Sequence, residues 1–262
     1  MDLQLTGKHA LVTGGSRGIG LACARAFIRE GARVSLVGRT PAHLDAAVAQ
    51  LRSEGGSVDG YCADLREAQS ALNMLDAVEA EGGPVDILVN SAGAARRTPF
   101  DELQAQHWHD AMQAKFFSYI HVMNPAIQRM GQRGSGAIVN IIGMGGKVAT
   151  PTHLAGGAAN AALMLATAGL AAAWGPRGVR VNAVNPALTL TDRMAEGIAA
   201  DARLQKIPEE EVLRKAEARM PLGRLASPED IANAVVFLAS PCASYISGAI
   251  VSMDGAAVPM VV

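Results

Sequence analysis

The sequence predicts an α/β fold in which one doubly wound parallel sheet is covered by helices on both faces, giving three layers in a single domain. Short apolar runs alternate with longer helical patterns along the whole chain, as in repeated βαβ units. A glycine turn within residues 10–20 joins a buried strand directly to the start of a helix. Half of the 262 residues are hydrophobic and only 18% are charged, so the chain can bury both faces of such a sheet.

The apolar runs predict seven strands, separated by helical segments. Strands are expected near residues 9–13, 33–37, 58–62, 87–90, 137–142, 180–184 and 249–253. Helices are expected near residues 18–30, 41–54, 66–81, 105–129, 157–174 and 228–239. The segment 189–220 is charged, helical and too long for a simple connection, which predicts a substrate loop or lid. Ligands of such sheets lie beyond the carboxyl ends of the strands, so site residues should directly follow each strand.

Composition and charge exclude several classes of partner. The formal net charge of −1 leaves no electrostatic footprint for nucleic acid or for an anionic membrane. Cys23, Cys62 and Cys242 are far apart, which predicts reduced thiols, no structural zinc and a cytoplasmic location. The first residues lack the basic and apolar segments of a signal peptide. The apolar stretch 155–174 is rich in alanine and is expected to be a buried helix rather than a membrane span.

The glycine turn has the features of a phosphate cradle. Gly14, Gly18 and Gly20 permit a tight turn with close backbone approach, and a helix begins within it. The bare N–H groups and the dipole of a helix start favour an anion, here a pyrophosphate. Many strand-to-helix turns use glycine for shape alone, which is the structural alternative. The predicted contacts in this turn are Gly14, Ser16, Arg17, Gly18, Ile19 and Gly20.

Arg39, which follows the second strand, suggests the type of nucleotide. An acidic residue at this point binds a ribose 2′-hydroxyl, whereas an arginine pairs with a 2′-phosphate. Arg17 in the glycine turn could meet the same phosphate. Both arginines could instead be solvated turn residues. The sequence favours NADP(H) over NAD(H) as the cofactor.

Further candidate cofactor residues follow the other strands. Asp64 could accept a hydrogen bond from the adenine amino group, or it could cap the next helix. The small residues of segment 90–93 would let a nucleotide approach the backbone, and segment 185–191 offers hydroxyl groups near the nicotinamide end. The predicted contacts are Asp64, Leu65, Asn90, Ala92, Gly93, Pro186 and Thr191.

These elements together resemble the short-chain dehydrogenase/reductase family over nearly the whole chain. Thr13-Gly14-x-x-x-Gly18-x-Gly20 matches its cofactor motif, and segments 90–93 and 186–191 are similar to two others. Segments 224–232 and 237–255 resemble its C-terminal signature, most closely in the branch of ketoacyl-carrier-protein reductases. The resemblance implies a Rossmann fold for hydride transfer, NADP(H) binding, a small-molecule substrate, and a homotetramer or homodimer.

The resemblance also predicts where the chemistry would lie. The family uses an asparagine, a serine, a tyrosine and a lysine, the last two as Tyr-x-x-x-Lys. Segment 136–146 matches the family pattern around the serine, with glycines agreeing at both ends, and Trp108 matches a tryptophan that precedes the asparagine. The four positions are then Lys115, Gly143, Gly156 and Asn160. A small shift of register restores no phenol, because the chain's tyrosines are Tyr61, Tyr119 and Tyr245.

Other side chains could take over the proton transfer. His153 lies three residues before Gly156, and imidazole titrates near neutrality, although a loop histidine without a role would look the same. Lys115 could point into the same cavity, where burial would favour its neutral form, or it could be solvated. Lys147 is a weaker candidate, and Asn160 could still bind a ribose hydroxyl.

Gly156 and the following glycine at 157 are expected to leave open volume where the phenol would stand. His107 and His109 show no spacing for metal ligands, so no metal site is predicted.

Two functions stay open for a chain with this cofactor motif and these residues at the catalytic positions. One is an NADP(H)-dependent oxidoreductase acting on a carbonyl or secondary alcohol with a non-standard acid or base. The other is a cofactor-binding protein without turnover, with a structural, sensing or assembly role.

Overall fold

The alternation of apolar runs and helices folds into one parallel sheet, as predicted. The computed structural model describes residues 1–93 and 96–260, with the side chains of the helix at 192–205 described only in part. The strands are β1 (His9–Thr13), β2 (Arg33–Gly38), β3 (Val58–Cys62), β4 (Ile87–Asn90), β5 (Gly136–Ile141), β6 (Val179–Pro186) and β7 (Ile250–Met253). Their order in the sheet is β3-β2-β1-β4-β5-β6-β7, which confirms the doubly wound fold class.

Helices cover both faces of the sheet. They are α1 (Gly18–Arg29), α2 (Pro41–Ser53), α3 (Ala68–Gly82), α4 (Ala105–Ala111), α5 (Ser118–Arg133), α6 (Leu154–Trp174), α7 (Asp192–Gln205), α8 (Glu209–Ala218) and α9 (Pro228–Ala239). Helices α1, α2 and α9 bury their apolar residues in one core cluster. Helices α3 and α5 bury theirs in a second cluster on the opposite face. Neighbouring strand residues therefore point to opposite cores, as Leu11 and Val12 do.

The carboxyl ends of the central strands lie level with one another. Thr13 at the end of β1 pairs with Val37 on one side and with Asn90 on the other. Asn90 in turn pairs with Asn140 of β5. The strand order changes direction between β1 and β4, so the loops after these strands open into one crevice.

The predicted continuous helix over residues 105–129 is wrong, because this stretch is interrupted. A π-helical turn, Met112–Phe117, separates α4 from α5, and α5 then continues to Arg133. The Ser118 hydroxyl donates to the carbonyls of Ala114 and Lys115, which satisfies acceptors that the altered turn would leave open. Gly93, which is distant in sequence, packs closely against the Ala114 carbonyl within this turn, and the local apolar period does not show such a contact.

Helix α6 begins at Leu154 rather than at residue 157. The Gly157 amide donates to the His153 carbonyl at 2.7 Å, so the two glycines continue the first turn instead of preceding it. Among the described residues, the helical segment Leu154–Arg177 is long and apolar enough to cross a membrane, and half of its most apolar part is buried inside the protein. Core helices of soluble proteins can have the same length and composition, so these features are weak evidence for a membrane span. The segment 189–220 is helical, as predicted, and contains α7 and α8.

Candidate active site

The Thr13 hydroxyl joins the ends of β1 and β4. It accepts hydrogen bonds from the amides of Ser91 (3.1 Å) and Ala92 (3.2 Å) and donates to the Val89 carbonyl. The loop that begins at Asn90 is therefore held against the glycine turn. No role for Thr13 is predicted from the sequence alone, although a hydroxyl at the end of an otherwise apolar strand indicates a polar contact at that point.

The glycine turn is packed so closely that side chains would not fit. Gly14 has a φ of +65°, and a Cβ built on it would lie 2.8 Å from the Ala92 backbone. A Cβ on Gly20 would lie 2.3 Å from the Gly14 carbonyl oxygen. Both glycines are thus required by the turn itself, whatever the turn binds.

The start of α1 is suited to hold the phosphates of a dinucleotide. Arg17 is the N-cap residue with no side-chain cap, and the first turn contains no acidic residue. Thr191 lies across the turn, because a Cβ on Gly18 would meet its methyl group at 3.4 Å. Uncapped amides beside a turn without side chains fit a pyrophosphate. The predicted contacts of the glycine turn and of Thr191 therefore lie together.

Ser16 and Ile19 have different surroundings within this turn. The Ser16 hydroxyl lies 3.5 Å from the position of a Cβ on Gly38, next to the exposed Arg39. Ile19 is half-buried and packs against the first apolar core. Ser16 therefore faces the end of β2, where a 2′-phosphate would lie, and Ile19 anchors the helix start.

Asp64 does not cap α3, so that alternative is wrong. The helix begins at Ala68 after Glu67, and the Asp64 carboxylate instead binds the backbone and side chain of Arg66. Hydrogen bonds from the Arg66 side chain, then from its amide, and the charge of Arg39 hold the pKa of the Asp64 carboxyl below its ordinary value. Leu65 buries its side chain in the second core, leaving only its backbone near the crevice.

The Asn90 side chain points into the protein rather than into the crevice. It is fully buried and donates to the Asn140 side chain, which donates to the Thr167 hydroxyl. Among the described residues, the Asn90 Oδ1 atom has no hydrogen-bond partner. Asn90 therefore links β4 to β5, and of the predicted loop contacts only Ala92 and Gly93 are partly exposed.

Lys115 is buried, with 8% of its surface exposed, and this contradicts the solvated alternative. Its ammonium donates to the Tyr119 hydroxyl at 2.8 Å and to the Ile141 carbonyl at 2.9 Å. The Tyr119 hydroxyl is fully buried and donates to the same carbonyl at 2.6 Å. The cation is therefore held at the carboxyl end of β5. Sequence reasoning missed Tyr119 as its partner, although the spacing of four residues places both on one face of a helix.

Gly143 and Asn160 lie next to each other just beyond β5. A Cβ on Gly143 would be 3.3 Å from the Asn160 amide nitrogen, and the φ of Gly143 is +130°. The Gly143 amide points to Asn185 Oδ1 at 3.4 Å. Gly156 is buried one turn before Asn160 on α6. The structure thus brings together, around the end of β5, the four residues that the family resemblance predicts at its catalytic positions, and a side chain at Gly143 would need a strained backbone.

His153 is half-buried at the start of α6, beside the same turn. A Cβ on Gly145 would lie 2.9 Å from the His153 ring, and His153 lines a cavity of about 220 Å³. Lys147 lines this cavity as well, and its ammonium donates to the Ser252 hydroxyl at 3.2 Å. His153 is therefore nearer to the Gly143 turn than Lys147, whose charged end faces β7.

Gly157 serves close backbone packing. A Cβ on Gly157 would lie 2.6 Å from the Gly145 carbonyl oxygen, so α6 rests directly on the turn after β5. Gly157 also lines the cavity of about 220 Å³ beside His153, and the open volume expected at residues 156 and 157 stays a prediction. Within residues 1–93 and 96–260, no group of three or more His, Cys, Asp or Glu side chains is arranged to hold a metal.

The chain matches known proteins along almost its entire length. The family model described as enoyl-(acyl carrier protein) reductase matches residues 14–256. D-threitol dehydrogenase of Mycolicibacterium smegmatis is 39% identical over 257 residues, covering 97% of this chain and 94% of that protein. The chain therefore belongs to the short-chain dehydrogenase/reductase family.

Solved structures agree with this assignment. L-sorbose reductase from Gluconobacter frateurii, in complex with NADPH and L-sorbose, has a TM-score of 0.93 at 29% identity and covers 100% of each chain. A 7α-hydroxysteroid dehydrogenase complexed with NADH has a TM-score of 0.88 at 29% identity, covering 97% of this chain and 95% of that one. Proteins of this fold thus hold either nicotinamide cofactor.

Replacing Gly93 by alanine tests how much its close contact with the π-helical turn contributes to stability. A Cβ there would lie 2.1 Å from the Ala114 carbonyl oxygen, and φ is +95°. We expect Gly93→Ala to lower the free energy of unfolding by about 3 kcal/mol or more, in urea titrations. Gly83→Ala is the matched control, because φ is +76° but nothing lies within 4 Å. The control should lose only about 1–2 kcal/mol from backbone strain, and equal losses would contradict the role of the contact.

Proposed function

We propose that this protein is an NADP(H)-dependent oxidoreductase that acts on a carbonyl or secondary alcohol of a small molecule. The observation that carries the proposal is the crevice between β1 and β4, with its uncapped helix start and its packed glycine turn. D-threitol dehydrogenase and L-sorbose reductase, which act on polyols and sugars by their names, support the substrate class. Helix α7 begins directly after Thr191, α8 follows it, and the two helices would form the substrate lid.

The proposal includes a remodelled proton pathway. Lys115, Gly143, Gly156 and Asn160 stand at the positions where the family resemblance places its asparagine, serine, tyrosine and lysine. The buried Tyr119 hydroxyl is already bonded to the Ile141 carbonyl, so it is no substitute for the lost phenol. The bound nicotinamide would supply or accept the hydride, and the protein must supply the proton from another group.

His153 is the group best placed to exchange that proton. Its ring lies against Gly145 in the turn after β5, at the head of α6, and an imidazole can both donate and accept a proton. Lys115 is held by Tyr119 and Ile141, so its charge would act on the site electrostatically. The Asn160 amide, one turn after Gly156, would hydrogen-bond a hydroxyl of the nicotinamide ribose without adding charge.

Replacing His153 by alanine tests this assignment. We expect turnover to fall by about 10²–10⁴-fold, the usual contribution of a general acid or base, while NADPH affinity stays unchanged. NADPH oxidation would be followed by stopped flow against a panel of ketones, quinones and acyl thioesters. Lys147→Ala, which alters the same cavity, is the control and should keep full turnover. Unchanged turnover in the His153 variant would show that His153 is not the group that exchanges the proton.

A second function is favoured by the backbone at Gly143. Its φ of +130° and the short distance from a built Cβ to the Asn160 amide disfavour a serine at this position, which supports a site without the family's proton pathway. A cofactor-binding protein without turnover would keep the crevice and lose the proton pathway in this way. No NADPH oxidation with any of the ketones, quinones and acyl thioesters, together with tight NADPH binding by calorimetry, would support this second function over the first.

The preference for NADP(H) is assigned to Arg39, with Arg17 as a second contact. Both side chains are exposed at the mouth of the crevice, as a 2′-phosphate requires. Arg39→Asp should shift the ratio of NADPH to NADH affinity by about 10- to 150-fold toward NADH, the value of one charge-assisted hydrogen bond. Arg29→Asp, with the same charge change at the far end of α1, should leave the ratio unchanged. An unshifted ratio in the Arg39 variant would contradict the assignment, as measured by calorimetry.

We further propose a cytoplasmic homotetramer or homodimer. The free thiols of Cys23, Cys62 and Cys242 suit a reducing compartment. Helix α6 exposes a face of small residues around Leu165, whose surface is 78% exposed, and a partner helix could pack closely against it. Gel filtration should give the mass of a dimer or tetramer, and Leu165→Glu should lower it. Elution of the wild type at the monomer mass would refute the assembly.

A further inference from the structure

The strand pairing places Arg39 and Asp64 side by side. Gly38 at the end of β2 pairs with Cys62 at the end of β3, and the Ala63 amide then donates to the Gly38 carbonyl at 3.2 Å. The next residue along each chain segment is Arg39 on one side and Asp64 on the other. A cation and a carboxylate in such positions would ordinarily pair with each other.

Arg66 prevents that pairing by holding the Asp64 carboxylate itself. The Arg66 Nε atom donates to both carboxylate oxygens at 3.0 Å, and Nη2 donates to Oδ2. The Arg66 amide donates to Oδ1 at 3.1 Å. Both oxygens of Asp64 are therefore engaged from within its own turn.

The turn that carries Arg66 is fastened to a second part of the protein. The Gln113 side-chain amide donates to the Arg66 carbonyl, and His121 Nδ1 is 3.0 Å from the Leu65 carbonyl. These bonds join the turn to the π-helical turn and to α5. The backbone that carries Arg66 and Asp64 is thus held in place by two other parts of the fold.

The Arg39 side chain is left available by this arrangement. It is exposed, and within the described residues it forms no ion pair. Its charge nevertheless acts on Asp64, since it contributes to the lowered pKa of that carboxyl. Without Arg66, the Asp64 carboxylate would be free to pair with Arg39, and its charge would also repel a phosphate bound nearby.

We infer that Arg66 determines cofactor specificity: by occupying Asp64 it keeps Arg39 available for the 2′-phosphate of NADP(H). The inference rests on the NADP(H) preference proposed above and adds a residue that need not touch the nucleotide. A role for Arg66 in adenine recognition would be different, because both cofactors carry the same adenine. The two roles therefore separate in a comparison of nucleotides that differ only in the 2′-phosphate.

The experiment measures binding of 2′,5′-ADP and 5′-AMP by calorimetry, which needs no turnover. Arg66→Gln should weaken 2′,5′-ADP binding by about three- to tenfold, the effect of one nearby surface charge, and should change 5′-AMP binding by less than about twofold. Arg66→Lys, which keeps the charge, should retain most of the preference. Asp64→Asn combined with Arg66→Gln should restore it, because the carboxylate charge is then gone. Thermal unfolding of each variant shows that it is folded.

Arg25→Gln is the matched control, because Arg25 forms a similar double hydrogen bond with Glu54 between α1 and the end of α2. This control should bind both probes as the wild type does.

Three results would each overturn the inference: an unchanged preference in Arg66→Gln, an equal loss of affinity for both probes, or a loss of preference that the added Asp64→Asn substitution does not reverse. If the wild type itself shows no preference for 2′,5′-ADP, the proposed cofactor preference is wrong. If Arg39→Asp abolishes the preference and Arg66→Gln leaves it intact, only the inference about Arg66 is wrong.

Discussion

The hydrogen bonds of the Thr13 hydroxyl are the interaction on which the rest of this site depends. Parallel pairing brings the ends of β1 and β4 level, and the hydroxyl then binds the amides of Ser91 and Ala92. Without these bonds, the two amides would be left partly buried and unsatisfied where the strands stop pairing. The same bonds hold the loop after β4 against Gly14, so this loop and the glycine turn after β1 pack together on one side of the crevice.

That close approach propagates to the candidate catalytic region. In the loop after β4, Gly93 lies against the Ala114 carbonyl, which belongs to the π-helical turn Met112–Phe117. The turn directs Lys115 inward, to Tyr119 and to the Ile141 carbonyl. Burial of an ammonium is costly unless it is hydrogen-bonded, and here a phenol and a carbonyl provide the bonds. A chain of backbone contacts thus connects the cofactor cradle to the lysine.

The two ends of the crevice differ in how they follow the family resemblance. At the adenosine end, Arg39, Asp64 and Arg66 form a small charged group that is arranged by strand pairing and by local hydrogen bonds. At the nicotinamide end, backbone contacts dominate, with Gly145 and Gly157 in direct contact and Gly143 in a conformation that favours glycine. Different residues therefore form the two ends of the crevice, so a change at one end can leave the other intact.

The sequence by itself determined the fold class, the number of strands with their places along the chain, and the glycine turn between β1 and α1. These follow from apolar periodicity and glycine spacing, which act within a few residues of the chain. The break in the helix at Met112–Phe117, the packing of Gly157 and the pairing of Asp64 with Arg66 were decided by tertiary structure. Each depends on atoms that folding brings together from separate segments, or on which of two nearby partners a side chain meets. Local sequence patterns do not contain this information. The spacing of four residues places Lys115 and Tyr119 on one helix face, but it does not say whether that face is buried.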